Sequence, residues 1–198
     1  LAGMLAGLVT GVLHAYLGIP AILAGILTQL GLYSVNLKIM GKSNQAINVD
    51  KFDLLVSLRY IKNVPIYRNT ILLVAVIIVV LIAFLYWFFG TELGCSLRAT
   101  GCNDRMSRAQ GINTDFNRVL GLMISNGLVA FSGALLTQYQ GFADINMGRG
   151  AIVIGLAAVI IGEALFGKIF HNFGFRLLGV ALGSIVYYFV LQIVIWLG

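Results

Sequence analysis

Side chains able to do chemistry are sparse in this 198-residue chain, which has seven acids, two histidines and two cysteines. Neither His14 nor His171 has a second histidine or a carboxylate at ligand spacing. Cys95 and Cys102 lie in one polar segment without the further ligands that zinc requires, and no disulfide between them is expected. No apolar stretch pairs two carboxylates, which leaves an intramembrane enzyme without an acid and a base. A phosphate loop of the G-x-x-x-x-G-K type does not occur, so the chain is not expected to hydrolyse ATP. His14 stands between Leu13 and Ala15 and reads as a hydrogen-bonded packing residue, with a proton relay as the alternative. Glu163 stands near Lys168 and reads as half of a helix-end ion pair, with substrate contact as the alternative.

One polar segment is better equipped. Asn103 has the side chain of an N-cap, Asp104 would sit at the positive end of a helix dipole, and Gly111 allows the left-handed backbone that stops a helix. The spacing predicts a short helix over Asp104, Arg105, Met106, Ser107, Arg108, Ala109 and Gln110, after which Thr114 and Asp115 open the next one. A helix that short is marginal alone in water and needs a surface to dock on. Met106 with Ala109 supplies a small apolar face beside Arg105 and Arg108; a solvated, well-capped connector is the alternative reading. Elsewhere, Gln29, Tyr33 and Asn36 share one helical face, and Asn126 and Gln138 interrupt a later apolar stretch. Such groups read as interhelical hydrogen bonds, with the lining of a solute path as the alternative for Gln29, Tyr33, Asn126 and Gln138.

The elements that must carry these residues are membrane helices. The chain is 60% hydrophobic and 10% charged, against about 25% charged in soluble domains. Residues 1–37, 69–91, 119–143 and 177–198 contain no Asp, Glu, Lys or Arg and make up over half of the chain. A span needs about 20 apolar residues, so the first stretch must break, and Gly18-Ile19-Pro20 is its punctuation. Six apolar segments result: 1–17, with Gly3, Gly7 and Gly11 at a packing spacing; 20–40; 71–89, capped by Asn69 or Thr70 and ending in an aromatic cluster; 119–138; 151–166; and 177–197, with Gly179-x-x-x-Gly183. Gly121, Ser125, Ser132, Asn126 and Gly133 should turn the fourth segment's polar face inward. The expectation is an all-α polytopic membrane protein with five to six transmembrane helices in a single domain over 1–198.

The piece Phe52 to Ile61 is amphipathic and suits the membrane surface. The net charge of +6 belongs to loops, since no basic helical face or stacked aromatics accompany it to suggest nucleic acid. Apart from Lys38, inside an apolar segment, Lys and Arg divide six against six between the two sides, so charge does not orient the chain. With Leu1 inside an apolar run and Gly198 directly after Ile195-Trp196-Leu197, the sequence reads as an internal portion of a longer protein.

The stretch Gly94-Cys95-Ser96-Leu97-Arg98-Ala99-Thr100-Gly101, the following Gly111-Ile112-Asn113, Gly133-Ala134-Leu135-Leu136 and Gly18-Ile19-Pro20 together resemble the permease subunits of bacterial ABC importers in the branched-chain amino acid and ribose family. Gln138 to Gly148 and Ile160-Ile161-Gly162-Glu163-Ala164-Leu165 resemble a subgroup linked to lipoprotein-type binding proteins, some for aromatic amino acids. The resemblance implies a type II, vitamin B12-importer-like fold in the bacterial inner membrane, working as a dimer. It makes Asp104 to Gln110, with Gly111, a coupling helix seated in a cytoplasmic ATPase, with residues 90–118 inside and 41–69 outside. It further implies an extracytoplasmic substrate-binding protein, no cofactor on this chain, and ATP bound by the partner subunit. A secondary transporter or channel is the alternative.

Overall fold

The computed structural model describes residues 1–47, 70–148, 150–167 and 173–197. The amphipathic piece Phe52 to Ile61, the Asn69 cap, Lys168 and His171 lie outside these residues. The described chain is almost wholly helical: α1 (Ala2–Ala15), α2 (Ala21–Met40), α3 (Thr70–Gly90), α4 (Glu92–Cys102), α5 (Asp104–Ala109), α6 (Thr114–Gln140), α7 (Ala151–Phe166) and α8 (Phe173–Leu197). Two three-residue strands, β1 (Asn44–Ala46) and β2 (Phe142–Asp144), pair antiparallel, with Gln45 opposite Ala143. Four helices are long and apolar enough to cross a membrane: α2, Ile71–Gly90 within α3, α6 and α8. The shorter α1 and α7 are also apolar, so the six expected segments are all helices.

The chain divides into two compact units, Leu1–Val74 with Phe88–Ile145, and Ala75–Trp87 with Asn146–Gly198. In the first, α1 lies along α6 on its glycine ridge. A Cβ on Gly7 would stand 2.7 Å from Met123 Cα, and one on Gly11 would stand 2.8 Å from Val119 Cα. Gly3 meets Asn126 and Ala130 in the same way, so the ridge predicted from spacing brings the two backbones together without side chains between them. α1 stops at Ala15 rather than Leu17 because Gly18 turns left-handed and Pro20 caps α2. His14 Nδ1 lies 2.8 Å from the Ile19 carbonyl, which can only accept, so the ring donates and fastens this turn. Thr10 donates to Thr28, which in turn donates to the Ala24 carbonyl, and these hydroxyls link α1 to α2.

Three expectations need correction. The fourth segment is longer than Val119 to Gln138, running 27 residues from Thr114, because Asn113 caps it and Gly141 ends it in the left-handed region. The side that meets α1 follows Val119, Met123, Asn126 and Ala130, whereas Ser125, Ser132 and Gly133 are exposed in this chain. Helix α8 begins at Phe173, four residues before Leu177, and so includes Arg176.

In the second unit α7 and α8 cross at glycines. Gly179 and Gly183 are buried, and a Cβ on Gly162 would stand 3.1 Å from Val180 Cα. Ala158, 5% exposed, completes the contact. The Gly179-x-x-x-Gly183 pair therefore receives Gly162 of α7, which brings the two main chains into contact.

Candidate functional site

Between α3 and α6 the chain makes two polar helices, of which sequence reasoning found one. Helix α4 was missed. Its start is fixed by Thr91, whose hydroxyl accepts from the Gly94 N–H at 3.3 Å, and by Gly94 itself, where a Cβ would stand 2.5 Å from Phe89 Cα. Its inner face carries Ser96 and Thr100 to Asn117 of α6. Asn117 is 4% exposed, and its amide donates to Thr100 Oγ1 at 2.9 Å and to Ser96 Oγ at 3.3 Å. The hydroxyls in turn donate along α4, Thr100 to the Ser96 carbonyl and Ser96 to the Leu93 carbonyl. A Cβ on Gly121 would stand 3.7 Å from a Leu97 methyl, so the two helices are in side-chain reach there.

Helix α5 starts where its sequence predicted and ends one residue earlier, at Ala109. Asn103 Oδ1 accepts from the Met106 N–H at 3.1 Å, Gln110 is the C-cap rather than the last helical residue, and Gly111 stops the helix at φ +83°. Ser107 is buried, and its hydroxyl donates to the Asn103 carbonyl at 2.9 Å. Asn113 Oδ1 then accepts from the Phe116 N–H and opens α6. The outer side of α5 is bare: Arg105, Met106, Ala109, Gln110 and Gly111 are exposed, Met106 at 59%.

Arg108 does not belong to that outer face. Its Nε donates to Thr114 Oγ1 at 2.6 Å, and its Nη2 lies 2.7 Å from Asp115 Oδ1. Arg118 Nη2 lies 2.8 Å from Asp104 Oδ2. The two longer pairs, Arg108–Asp104 and Arg118–Asp115, are both 3.6 Å. Asp104 and Arg108 are therefore turned toward α6, while Arg105 and Met106 stand exposed. The sequence could not separate the two arginines of α5, because the answer lies in Asp115 and Arg118 on the next helix.

The path candidates do not converge. Gln29 and Tyr33 are exposed on α2. Asn126 sits under Gly3 of α1, and its amide donates to the Leu122 carbonyl one turn back, at 2.9 Å. Gln138 lies twelve residues further along α6, about 18 Å at helical rise, with its Oε1 buried and unpaired among the described residues. Glu163 lines a groove of about 410 Å³ between α7 and α8, together with Arg176, Gly162, Gly179 and Phe166.

The ends of α6 carry opposite attachments. Helices α4 and α5 pack at its start, and β2 follows its end directly, pairing with β1. The β1–β2 ladder thus puts residues 44–46 and 142–144 at one end of α6 and residues 92–109 at the other.

Comparison with known proteins adds three findings. The family described as branched-chain amino acid transport system, permease component, matches residues 1–198. The chain is 41% identical over its whole length to the tyrosine transport system permease protein of Clostridioides difficile (strain R20291), covering 63% of that protein. It is 29% identical over 165 residues, 82% of its length, to the autoinducer 2 import system permease protein LsrC of Escherichia coli O9:H4 (strain HS), covering 45% of it. The chain thus spans about half to two thirds of these relatives. No solved structure matches it significantly.

Proposed function

The chain belongs to the family of permease components of branched-chain amino acid transport systems, and from that premise we propose that it forms the larger part of the membrane-spanning subunit of a bacterial ABC importer for an aromatic amino acid. A separate ATPase in the cytoplasm binds and hydrolyses ATP, an extracytoplasmic binding protein delivers the solute, and two permease subunits enclose the path in the inner membrane. Residues 90–118 face the cytoplasm and 41–69 the outside. No covalent chemistry is required of this subunit.

The observation that carries the reading is the exposed face of α5. On this six-residue helix, too short to be stable alone in water, Met106 at 59% exposure stands with exposed Arg105 and Ala109, a small mixed face that suits a groove on another protein. Arg105 beside it supplies a charge that can pair with the ATPase. The solute class is supported by the 41% identity to a tyrosine transport permease.

In vesicles holding the full-length permease, its ATPase and its binding protein, Met106→Asp places a charge in a desolvated contact, which costs several kcal/mol if unpaired. Met106→Asp and Arg105→Glu should both insert normally yet lose binding-protein-stimulated ATP hydrolysis and uptake together. Wild-type transport by both variants would reject α5 as the contact. Uptake of a sugar with no response to tyrosine, phenylalanine or tryptophan would reject the solute class.

A further inference from the structure

We propose that Asp104, Arg108, Asp115 and Arg118 form a two-point clamp that bridges the Gly111 joint and makes α5 and α6 one mechanical body. The inference rests on reading α5 as the contact with the ATPase, and it concerns four positioning residues rather than the contact itself.

The distances carry it. Both short pairs run between helices: Arg118 of α6 holds Asp104 at 2.8 Å, and Arg108 of α5 reaches Asp115 at 2.7 Å. Both long pairs, at 3.6 Å, stay within one helix. Had these charges served helix propensity alone, the i,i+4 and i,i+3 partners would be the close ones. Asp104 is the first residue of α5 and Arg108 lies in its last turn, so the helix is tied at both ends. One tie would leave a pivot; two remove it. Arg108 also donates to Thr114 at 2.6 Å, which fixes the plane of its guanidinium.

Apart from the clamp, the joint is spanned among the described residues by main-chain bonds alone and turns on a glycine. Gly111 sits at φ +83° with open space where a Cβ would be, and the links across it are main-chain bonds such as Ile112 N–H to the Ser107 carbonyl at 3.1 Å. Beyond the joint α6 is held by two neighbours. The first turn of α6 is held to α4 through Asn117, and from Val119 onward α6 lies against the glycine ridge of α1. A displacement of α5 therefore reaches the α1–α6 pair as long as the clamp holds, and is absorbed at Gly111 once it opens. The charged side chains are 31–52% exposed, so each pair contributes little to folding. Their contribution is geometric.

The test uses the full-length permease with its ATPase and binding protein in proteoliposomes. Arg118→Gln and Asp115→Asn should each leave complex assembly and basal ATP hydrolysis in place while lowering solute transported per ATP several-fold. Arg118→Lys, which keeps the charge, should recover part of that ratio. Adding Asp104→Asn to Arg118→Gln should cost no more coupling than Arg118→Gln alone, because both break one tie. After Cys95 and Cys102 are replaced by serine, spin labels at Gln110 and Ser125 should give a narrow distance distribution that broadens in Arg118→Gln. Should Arg118→Gln fail to insert, Asp115→Asn carries the same test from the other tie. An unchanged ratio and an unchanged distribution, with Met106→Asp still abolishing stimulation, would overturn the clamp and leave the proposed function standing. Loss of effect from Met106→Asp as well would overturn both.

Discussion

Asn117 and Arg108 hold the two polar helices by different physics, one from a site 4% exposed and the other from an ion pair open to water. The Asn117 amide donates to two hydroxyls whose own protons are already given to main-chain carbonyls of α4. Replacing Asn117 by Leu thus removes hydrogen bonds without orphaning a donor on α4, at a net cost of about 1 kcal/mol each. Thr100→Val is the harsher change, since it leaves a buried amide proton without its acceptor at 2.9 Å, a loss of about 1–3 kcal/mol. Thermal unfolding of the purified protein in detergent should show Thr100→Val at least as destabilising as Asn117→Leu, and the pair together less than their sum. Equal and additive losses would mean that the two side chains do not share a bond. Arg108→Glu acts otherwise. It would set a third carboxylate beside Asp104 and Asp115, so its effect would come from α5 leaving α6 rather than from a repelled partner.

Among the helices, the glycine contacts separate packing from propensity. Glycine inside a helix costs about 1 kcal/mol relative to alanine, so alanine should stabilise wherever space allows. Gly25 in α2 has open space and Gly7 in α1 does not, its Cβ position lying 2.7 Å from Met123 Cα. Gly25→Ala should raise the unfolding temperature or leave it unchanged, and Gly7→Ala should lower it. A rise for both would show that α1 does not rest on α6 through its ridge. These contacts explain what was legible in the sequence. Gly3, Gly7 and Gly11 announce a close approach whatever the partner, and Asn103, Gly111 and Pro20 mark helix ends through local chemistry alone. Helix α4 was not legible because Gly94 and Gly101 argue against a helix, and its support comes from Phe89 at the end of α3 and Asn117 of α6. The β1–β2 ladder was hidden for the same reason: three-residue strands carry no period, and their pairing joins residues about a hundred positions apart. The roles of Arg105 and Arg108 could not be told apart, since only folding brings Asp115 and Arg118 to α5.

At the scale of the whole molecule the question is which end of α6 faces which compartment, and charge counting was silent on it. The 27 residues of α6 reach about 40 Å, more than the roughly 30 Å of a hydrocarbon core, which is length enough to set its two ends on opposite sides. The β1–β2 ladder marks one end and α4 with α5 the other. Cys95 and Cys102, both free and exposed on α4, are natural reporters for the second. In the proposed orientation a membrane-permeant maleimide applied to intact cells should label them, and an impermeant one should not. Gln45→Cys, placed on the exposed β1 strand of a Cys95→Ser, Cys102→Ser background, should show the reverse and react with the impermeant reagent. If Cys95 reacts from outside and Gln45→Cys does not, the chain is inverted, and α5 cannot be what an ATPase in the cytoplasm touches. If both react from the same side, α6 does not cross the bilayer, and the span would have to be reassigned before any mechanism could be attached to it.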